Sequence, residues 1–187
     1  PILARETGLD LGALRLIGLD EWGGLNGDDP GSCRAYINQH VILPWGLKDH
    51  QVLHFMDGRK DPALQCAAAN RVLDQAGPID LLVLGIGMNG HIGFNEPGAK
   101  PGSRAHMVTL SDSSVTTGQK YFAGIQAPAT GLSLGLLDLL AARNILLEAV
   151  GAHKQPVIAR LLQGRVDPAL PASYLWNSDA LLLLDQA

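Results

Sequence analysis

Short apolar runs alternate with polar segments of helical period along most of this chain, and that alternation predicts a layered fold. Residues 14–19, 51–55, 79–84, 105–110, 144–150 and 180–184 are each apolar enough and short enough to be strands. Between them lie helix signals. Ser32 opens a helix whose apolar side includes Cys33, Tyr36, Ile37 and Val41, with His40 packed on the same side and Pro44 closing it. Asp61-Pro62 joins a capping side chain to a proline at the first helical position, and Gly77-Pro78 ends the run Leu64, Ala68, Val72, Gln75. Ser111 starts a third helix towards Phe122, weakened by Gly118, and residues 155–162 form a fourth with Pro156 in its first turn. Strand, helix, strand, helix, strand is the order of an α/β fold.

The run 79–84 reads as a strand buried on both faces, emptying into residues 85–98, GIGMNGHIGFNEPG. Ligands of open α/β sheets sit at the carboxyl ends of such strands. This loop sets an imidazole, His91, five residues before a carboxylate, Glu96, among glycines that let backbone approach a ligand. It is the expected active site; the alternative is a tight turn in which His91 is merely hydrogen-bonded. Gly85, Gly87 and Gly90 spell GxGxxG, but a dinucleotide needs a helix opening directly after it. Gly93, Pro97 and Gly98 stand where that helix would begin.

Other chemistry is spread along the chain. Asp20 and Glu21 end the first strand, at the same sheet edge as the His91 loop if both strands are parallel. Adjacent carboxylates there suit proton transfer, although spacing alone equally describes a solvated acidic pair. His50 and His54 flank the second strand, too far apart to chelate a metal. Gly131, Ser133 and Gly135 match the GxSxG nucleophile elbow, yet the Asp and His it needs would be Asp138, on the very next helix, and His153. The plainer reading is a strand whose small residues pack beneath the site. Lys154 follows Gly151 at a helix start, where free N–H groups and a cation suit an anion.

Composition narrows the classes. A chain of 187 residues supports one substantial core and is short for two domains. With 47% hydrophobic and 17% charged residues it is globular, and a net charge of −4 with no Lys/Arg run argues against nucleic-acid or anionic-membrane partners. Cys33 and Cys66 form neither a metal motif nor a disulfide framework, which fits a reducing cytoplasm. No signal peptide and no apolar stretch near about 18 residues is seen.

The wording GxNGHxGFNEPG resembles the amino-sugar-6-phosphate deaminases/isomerases, which convert glucosamine or galactosamine 6-phosphate to a ketose phosphate and ammonia. Leu19-Asp20-Glu21-Trp22, TGLSLGLL over 130–137, Gly151 to Lys154 and PASYLW over 171–176 extend the likeness over most of the chain. LDEW, NGH and PASxLW together look most like the galactosamine-6-phosphate branch, whose ketose product is tagatose 6-phosphate. The resemblance implies a three-layer, Rossmann-like, mostly parallel α/β sandwich with no metal or organic cofactor and a small sugar phosphate as partner. A homo-oligomer is compatible with it.

It also implies roles. Asp20 would carry the proton between substrate carbons, and His91 would open the sugar ring, oriented by Glu96. Lys154 would hold the phosphate, and Gly87 and Gly90 would bring backbone to the substrate. Lys120 stands where the glucosamine enzymes carry a phosphate-binding Arg; it supplies charge without a bidentate fork. Asn89 stands where they carry Asp, and serves as a marker of the branch.

The runners-up are glucosamine-6-phosphate deamination to fructose 6-phosphate, a 6-phosphogluconolactonase-type hydrolase, which the FNEPG tail disfavours, and a non-catalytic sugar-phosphate-binding module. Nothing in the sequence matches the first strand and glycine/threonine-rich phosphate loop of the family. The expectation is therefore a single domain over 1–187, incomplete at its N-terminus and lacking its first βα unit.

Overall fold

A computed structural model of the protein describes residues 10–122, 124 and 126–185. Its strands are β1 (Leu16–Ile17), β2 (Asp20–Trp22), β3 (Val52–His54), β4 (Leu82–Gly85), β5 (His106–Thr109), β6 (Thr130–Ser133), β7 (Ile145–Ala149) and β8 (Leu181–Leu184). The α-helices are α1 (Cys33–Ile37), α2 (Pro62–Ala76), α3 (Asp112–Gly118), α4 (Leu136–Leu140) and α5 (Gln155–Leu161). β1 pairs with β3, β4 with β7 and β7 with β8, all parallel. Helices accompany these parallel strands in the Rossmann-like manner.

The mostly parallel, Rossmann-like plan holds, with antiparallel pairing at one place. β6 lies between β2 and β5 and runs antiparallel to both, with Asp20 and His106 on either side of Ser133. The first strand is correspondingly shorter than 14–19. The chain leaves β1 at Gly18, whose N–H donates to the His54 carbonyl at 2.8 Å, and Asp20 then opens the second, antiparallel strand. A Cβ on Gly18 would lie 2.3 Å from the Phe55 ring, so close packing demands glycine at this switch.

The helix starts follow from local chemistry. Asp61 accepts from Leu64 N at 3.0 Å and Ser111 from Ser114 N at 3.3 Å. Pro44 does not close the first helix. The chain passes through a π-turn, Asn38–Ile42, and continues over Leu43–Trp45 to Gly46, in the left-handed region at φ 66°. His40 is exposed, its ring 4.3 Å from that of Tyr36, itself exposed, so this side of the helix faces solvent and not the core. Gly118 is the last residue of α3, and a Cβ there would lie 2.4 Å from Trp22, so close packing calls for glycine.

Leu84, Ile92, Leu132, Leu134, Leu136, Leu139 and Leu147 form the centre of the main core, with Ala69 of α2 and Val157 of α5. Trp22, Phe94, Leu110, Phe122 and Ala127 form a second cluster. Ile92 belongs to the first and Phe94 to the second, so the loop after β4 is anchored in both. β4 itself is buried on one face only: Leu82 and Leu84 point inward while Val83 is 55% exposed. Leu181 and Leu183 of β8 are likewise exposed. Among the described residues, no helix is long and apolar enough to cross a membrane.

Candidate active site

The loop after β4 is a tight turn built by its glycines. Gly87 N donates to the His91 carbonyl and Gly90 N to that of Gly87, both at 2.9 Å. A Cβ on Gly87 would lie 2.2 Å from the His91 ring, so the missing side chain is the space the imidazole fills. Gly90 has φ 90°, and a Cβ there would strike Leu170 at 2.2 Å; its carbonyl accepts from Ala172 N of the PASYLW turn. The FNEP stretch is fastened to β6 by Phe94 N, which donates to Ser133 Oγ at 3.1 Å, and by Asn95 Nδ2, which donates to the Leu134 carbonyl at 2.9 Å. No helix follows the glycines before residue 112, which rules out the dinucleotide reading. Ser133 is fully buried and donates to the Leu134 carbonyl, which rules out the nucleophile elbow.

Three side chains of the loop act in series. Asn89 Nδ2 donates to Glu96 Oε2 at 2.6 Å and to Ser111 Oγ at 3.0 Å. Its Oδ1 faces the backbone N–H of His91 at 3.2 Å and the imidazole Nδ1 at 2.8 Å. The backbone N–H is always a donor and the carboxylate an acceptor, so the amide has one orientation. His91 Nδ1 must then carry the hydrogen, leaving Nε2 with its lone pair. Glu96 therefore acts on His91 chiefly through Asn89; its own Oε1 is 4.0 Å from Nδ1. Burial pushes the imidazole below its ordinary pKa against the pull of Glu96, with Lys154 reinforcing the shift. A neutral imidazole of fixed tautomer is a base at neutral pH.

Asn89→Asp places a second carboxylate beside Nδ1 and should raise the His91 pKa by about one unit. Imidazole NMR titration checks this; an unchanged midpoint would show that Asn89 does not set the state of the ring.

Sequence reasoning missed Ser114, whose Oγ is 3.1 Å from His91 Nδ1. Ser111 reads as a capping residue, and the cap is real, but it also delivers α3 and Ser114 to the imidazole.

Asp20 and Glu21 separate in role. Glu21 is 1% exposed and accepts from Trp22 N, Cys33 N, Arg34 N and Ser32 Oγ at 2.9, 3.0, 3.1 and 2.6 Å. It anchors the start of α1, where the helix dipole favours an anion, and has no lone pair left for proton traffic. Glu21 thus drops out of the pair that the sequence offered for proton transfer, and Asp20 remains the candidate. Asp20 is partly buried; burial raises its carboxyl to about 6, opposed by a hydrogen bond from the Cys33 thiol and reinforced by the Glu21 charge. Gly93 of the His91 loop would place a Cβ 3.1 Å from Ser133 Oγ and 3.4 Å from Leu19, the residues paired with and preceding Asp20. Asp20 and the His91 loop therefore adjoin β6 side by side.

Lys154 precedes α5 after Gly151, at φ 94°, and its Nζ donates to the Ile86 carbonyl at 2.6 Å, at the end of β4. Burial lowers its pKa, and the charge of Lys120 lowers it further. Lys120 is exposed, with its Nζ 4.9 Å from the Tyr121 ring. Two cations that repel each other beside a neutral imidazole favour a small anion. His50 lies in a 3₁₀ turn and His54 on β3, and they form no joint site; burial and Arg34 lower the His54 pKa.

The family described as glucosamine-6-phosphate isomerases/6-phosphogluconolactonase matches residues 6–183. A glucosamine-6-phosphate deaminase of Bacillus velezensis is 37% identical over 97% of this chain and 76% of its own. A putative deaminase, AgaI, of Escherichia coli is 36% identical over 95% and 70%. The structure of a monomeric glucosamine-6-phosphate deaminase superposes with a TM-score of 0.94 at 33% identity, over 99% of this chain and 78% of that one. A 6-phosphogluconolactonase of Thermotoga maritima shares the fold, with a TM-score of 0.74 at 18% identity over 94% and 74%.

Proposed function

We propose that this chain, which belongs to the family of glucosamine-6-phosphate isomerases and 6-phosphogluconolactonases, is an enzyme that isomerises and deaminates a 2-amino-2-deoxyhexose 6-phosphate. The observation that supports it is the conjunction, side by side on β6, of a neutral imidazole with a free Nε2 and a carboxyl raised to about 6. Lactone hydrolysis needs one base to activate water; an aldose–ketose shift needs a second, beside carbon, that can take and return a proton. The site offers both. Deaminases among the relatives share 30–37% identity with this chain, against 18% for the lactonase, whose likeness is of fold alone.

In this reading Lys154 and Lys120 hold the phosphate. His91 Nε2 accepts the proton of the C1 hydroxyl and delivers it to the ring oxygen as the ring opens. Asp20, ionised above about pH 6, takes the hydrogen from C2 to give an enolamine and returns it to C1. The resulting iminium at C2 adds water and expels ammonia, so one water is consumed per ketose phosphate formed. Glu96 and Asn89 keep His91 oriented, and Gly87 and Gly90 leave room at the turn.

Within this class we assign galactosamine 6-phosphate as the preferred sugar, giving tagatose 6-phosphate, on the strength of LDEW, NGH and PASYLW taken together. The deaminase names of the relatives favour glucosamine 6-phosphate as the second reading. A coupled ammonia assay on both sugars should show faster release from the galacto epimer. Equal or reversed rates would remove that assignment and leave the reaction class intact; no ammonia from either would remove the class.

A further inference from the structure

His91 is held by its own loop on one side and by a separate element on the other. Asn89, two residues before it, meets Nδ1 at 2.8 Å from within the turn, so that bond alone would let ring and loop move together. Ser114 comes from α3, 23 residues further along, and its Oγ lies 3.1 Å from the same nitrogen. Ser114 is 6% exposed, and α3 is packed at its far end, where Gly118 lies against Trp22. We propose that Ser114 is a positioning residue for His91, its hydroxyl oxygen sharing the Nδ1 hydrogen with Asn89 and locking the imidazole to the body of the protein with Nε2 left for the sugar. The inference rests on the reading of His91 as the base that opens the sugar ring.

The hydrogen bonds form a closed circuit whose directions are fixed. Asn89 Nδ2 donates to Ser111 Oγ at 3.0 Å, and Ser114 N donates to the same oxygen at 3.3 Å. With both lone pairs engaged, Ser111 gives its own hydrogen away, and Ser114 Oγ receives it at 3.1 Å. Nδ1 carries the hydrogen it shares with Asn89 Oδ1, so Ser114 Oγ faces the imidazole as an acceptor too. Asn89, His91, Ser114 and Ser111 are thus joined in one loop of bonds. Glu96 braces it twice, through Asn89 Nδ2 at 2.6 Å and through Ser111 N at 3.3 Å. The opposite tautomer would set a bare Nδ1 against the Asn89 oxygen.

The charged groups that face the imidazole are Glu96, whose Oε1 is 4.0 Å from Nδ1, and Lys154 at the start of α5. α3 brings hydroxyls to it, its Asp112 being exposed, and the PASYLW turn against Gly90 brings no charge. β6, to which the loop is fastened, brings none either, and Asp20 lies on its neighbour β2. An acceptor at Nδ1 favours the imidazolium, whose N–H is the stronger donor, over the neutral ring. Ser114 therefore works on His91 in the same direction as Glu96, and its loss should make the ring easier to deprotonate.

The test is nitrogen NMR of the imidazoles in protein labelled at histidine, with His91→Gln identifying the resonances. Above its midpoint the parent should show Nδ1 protonated and Nε2 bare, a reading that needs no variant. Ser114→Ala should lower the His91 midpoint by about half a unit, the scale of one hydrogen bond that differs between the two states. Ser114→Thr, which keeps the hydroxyl, should leave it at the parental value. The start of α3 survives the change to Ala, because Ser114 N keeps its bond to Ser111 Oγ and Ser113 Oγ lies 3.0 Å from the Ser111 hydroxyl. In Ala, kcat should fall about tenfold at nearly unchanged KM, less than a full misplacement costs because Asn89 still holds the ring. A parent protonated at Nε2, an Ala midpoint that is unchanged or raised, a parental kcat in Ala, or a Thr variant that shifts as Ala does overturns the proposal. Because the titration is read without substrate, it stands apart from the base assignment, which fails instead if His91→Gln releases ammonia at the parental rate.

Discussion

Asp20→Asn should lower turnover on the amino sugar phosphate by at least about two orders of magnitude, the usual scale for a positioned general base. Substrate affinity should change little, because the side chain acts on a carbon-bound hydrogen and the phosphate is held elsewhere. The same substitution should make the protein more stable at alkaline pH. The Asp20 carboxyl titrates near 6 in the folded chain instead of 3.8, so folding disfavours its ionised form. The stability tied to the neutral carboxyl is present below about pH 4 and is lost as pH rises through about 6. At pH 8 the parent therefore bears a penalty of about 3 kcal/mol that Asn does not. Denaturant melts at pH 8 and at acid pH would show a gap that closes on acidification. A gap independent of pH would mean that ionisation of Asp20 is not its source.

Its neighbour should behave in the opposite way. Glu21→Ala removes the acceptor of four hydrogen bonds from a side chain that is 1% exposed. Trp22 N, Cys33 N, Arg34 N and the Ser32 hydroxyl would be left in the interior with little water to replace it. A loss of about 3 kcal/mol or more follows, since each stranded donor costs on the order of 1–3 kcal/mol. For a chain of this length that is a fall in Tm of roughly 6–12 °C. Activity would fall too, because these bonds tie the start of α1 to the strand that carries Asp20. A melting temperature within about 2 °C of the parent would show that the clamp is dispensable.

The contrast between these adjacent acids shows where sequence reading succeeds and stops. Asp61-Pro62 and Ser111 were legible as helix starts because a cap and its partner lie three residues apart. The His91 loop was legible because glycines at fixed spacing allow few shapes. Glu21 was not, because its partners lie 11–13 residues away on α1 and only the fold brings them together. Cys33 counted as a plain apolar position for the same reason. The antiparallel course of β6 was hidden because a short apolar run has no direction until it is paired. His40 was misplaced because the side it shares with Tyr36 covers no core, which period alone does not reveal. Even Asn89, visible as an exchange for Asp, showed its role only once its amide was seen between Glu96 and His91.

The central claim is that Asp20 carries a proton between C2 and C1 of an amino sugar phosphate. It is tested most directly by running the reaction in heavy water and reading C1 of the ketose phosphate by proton NMR. The parent should release ammonia and leave a fraction of deuterium at C1, because the hydrogen on the Asp20 carboxyl exchanges with solvent during transfer. Asp20→Asn should yield neither ammonia nor label. Deuterium entering C1 at the parental rate in Asp20→Asn would contradict the account and place the base on another residue.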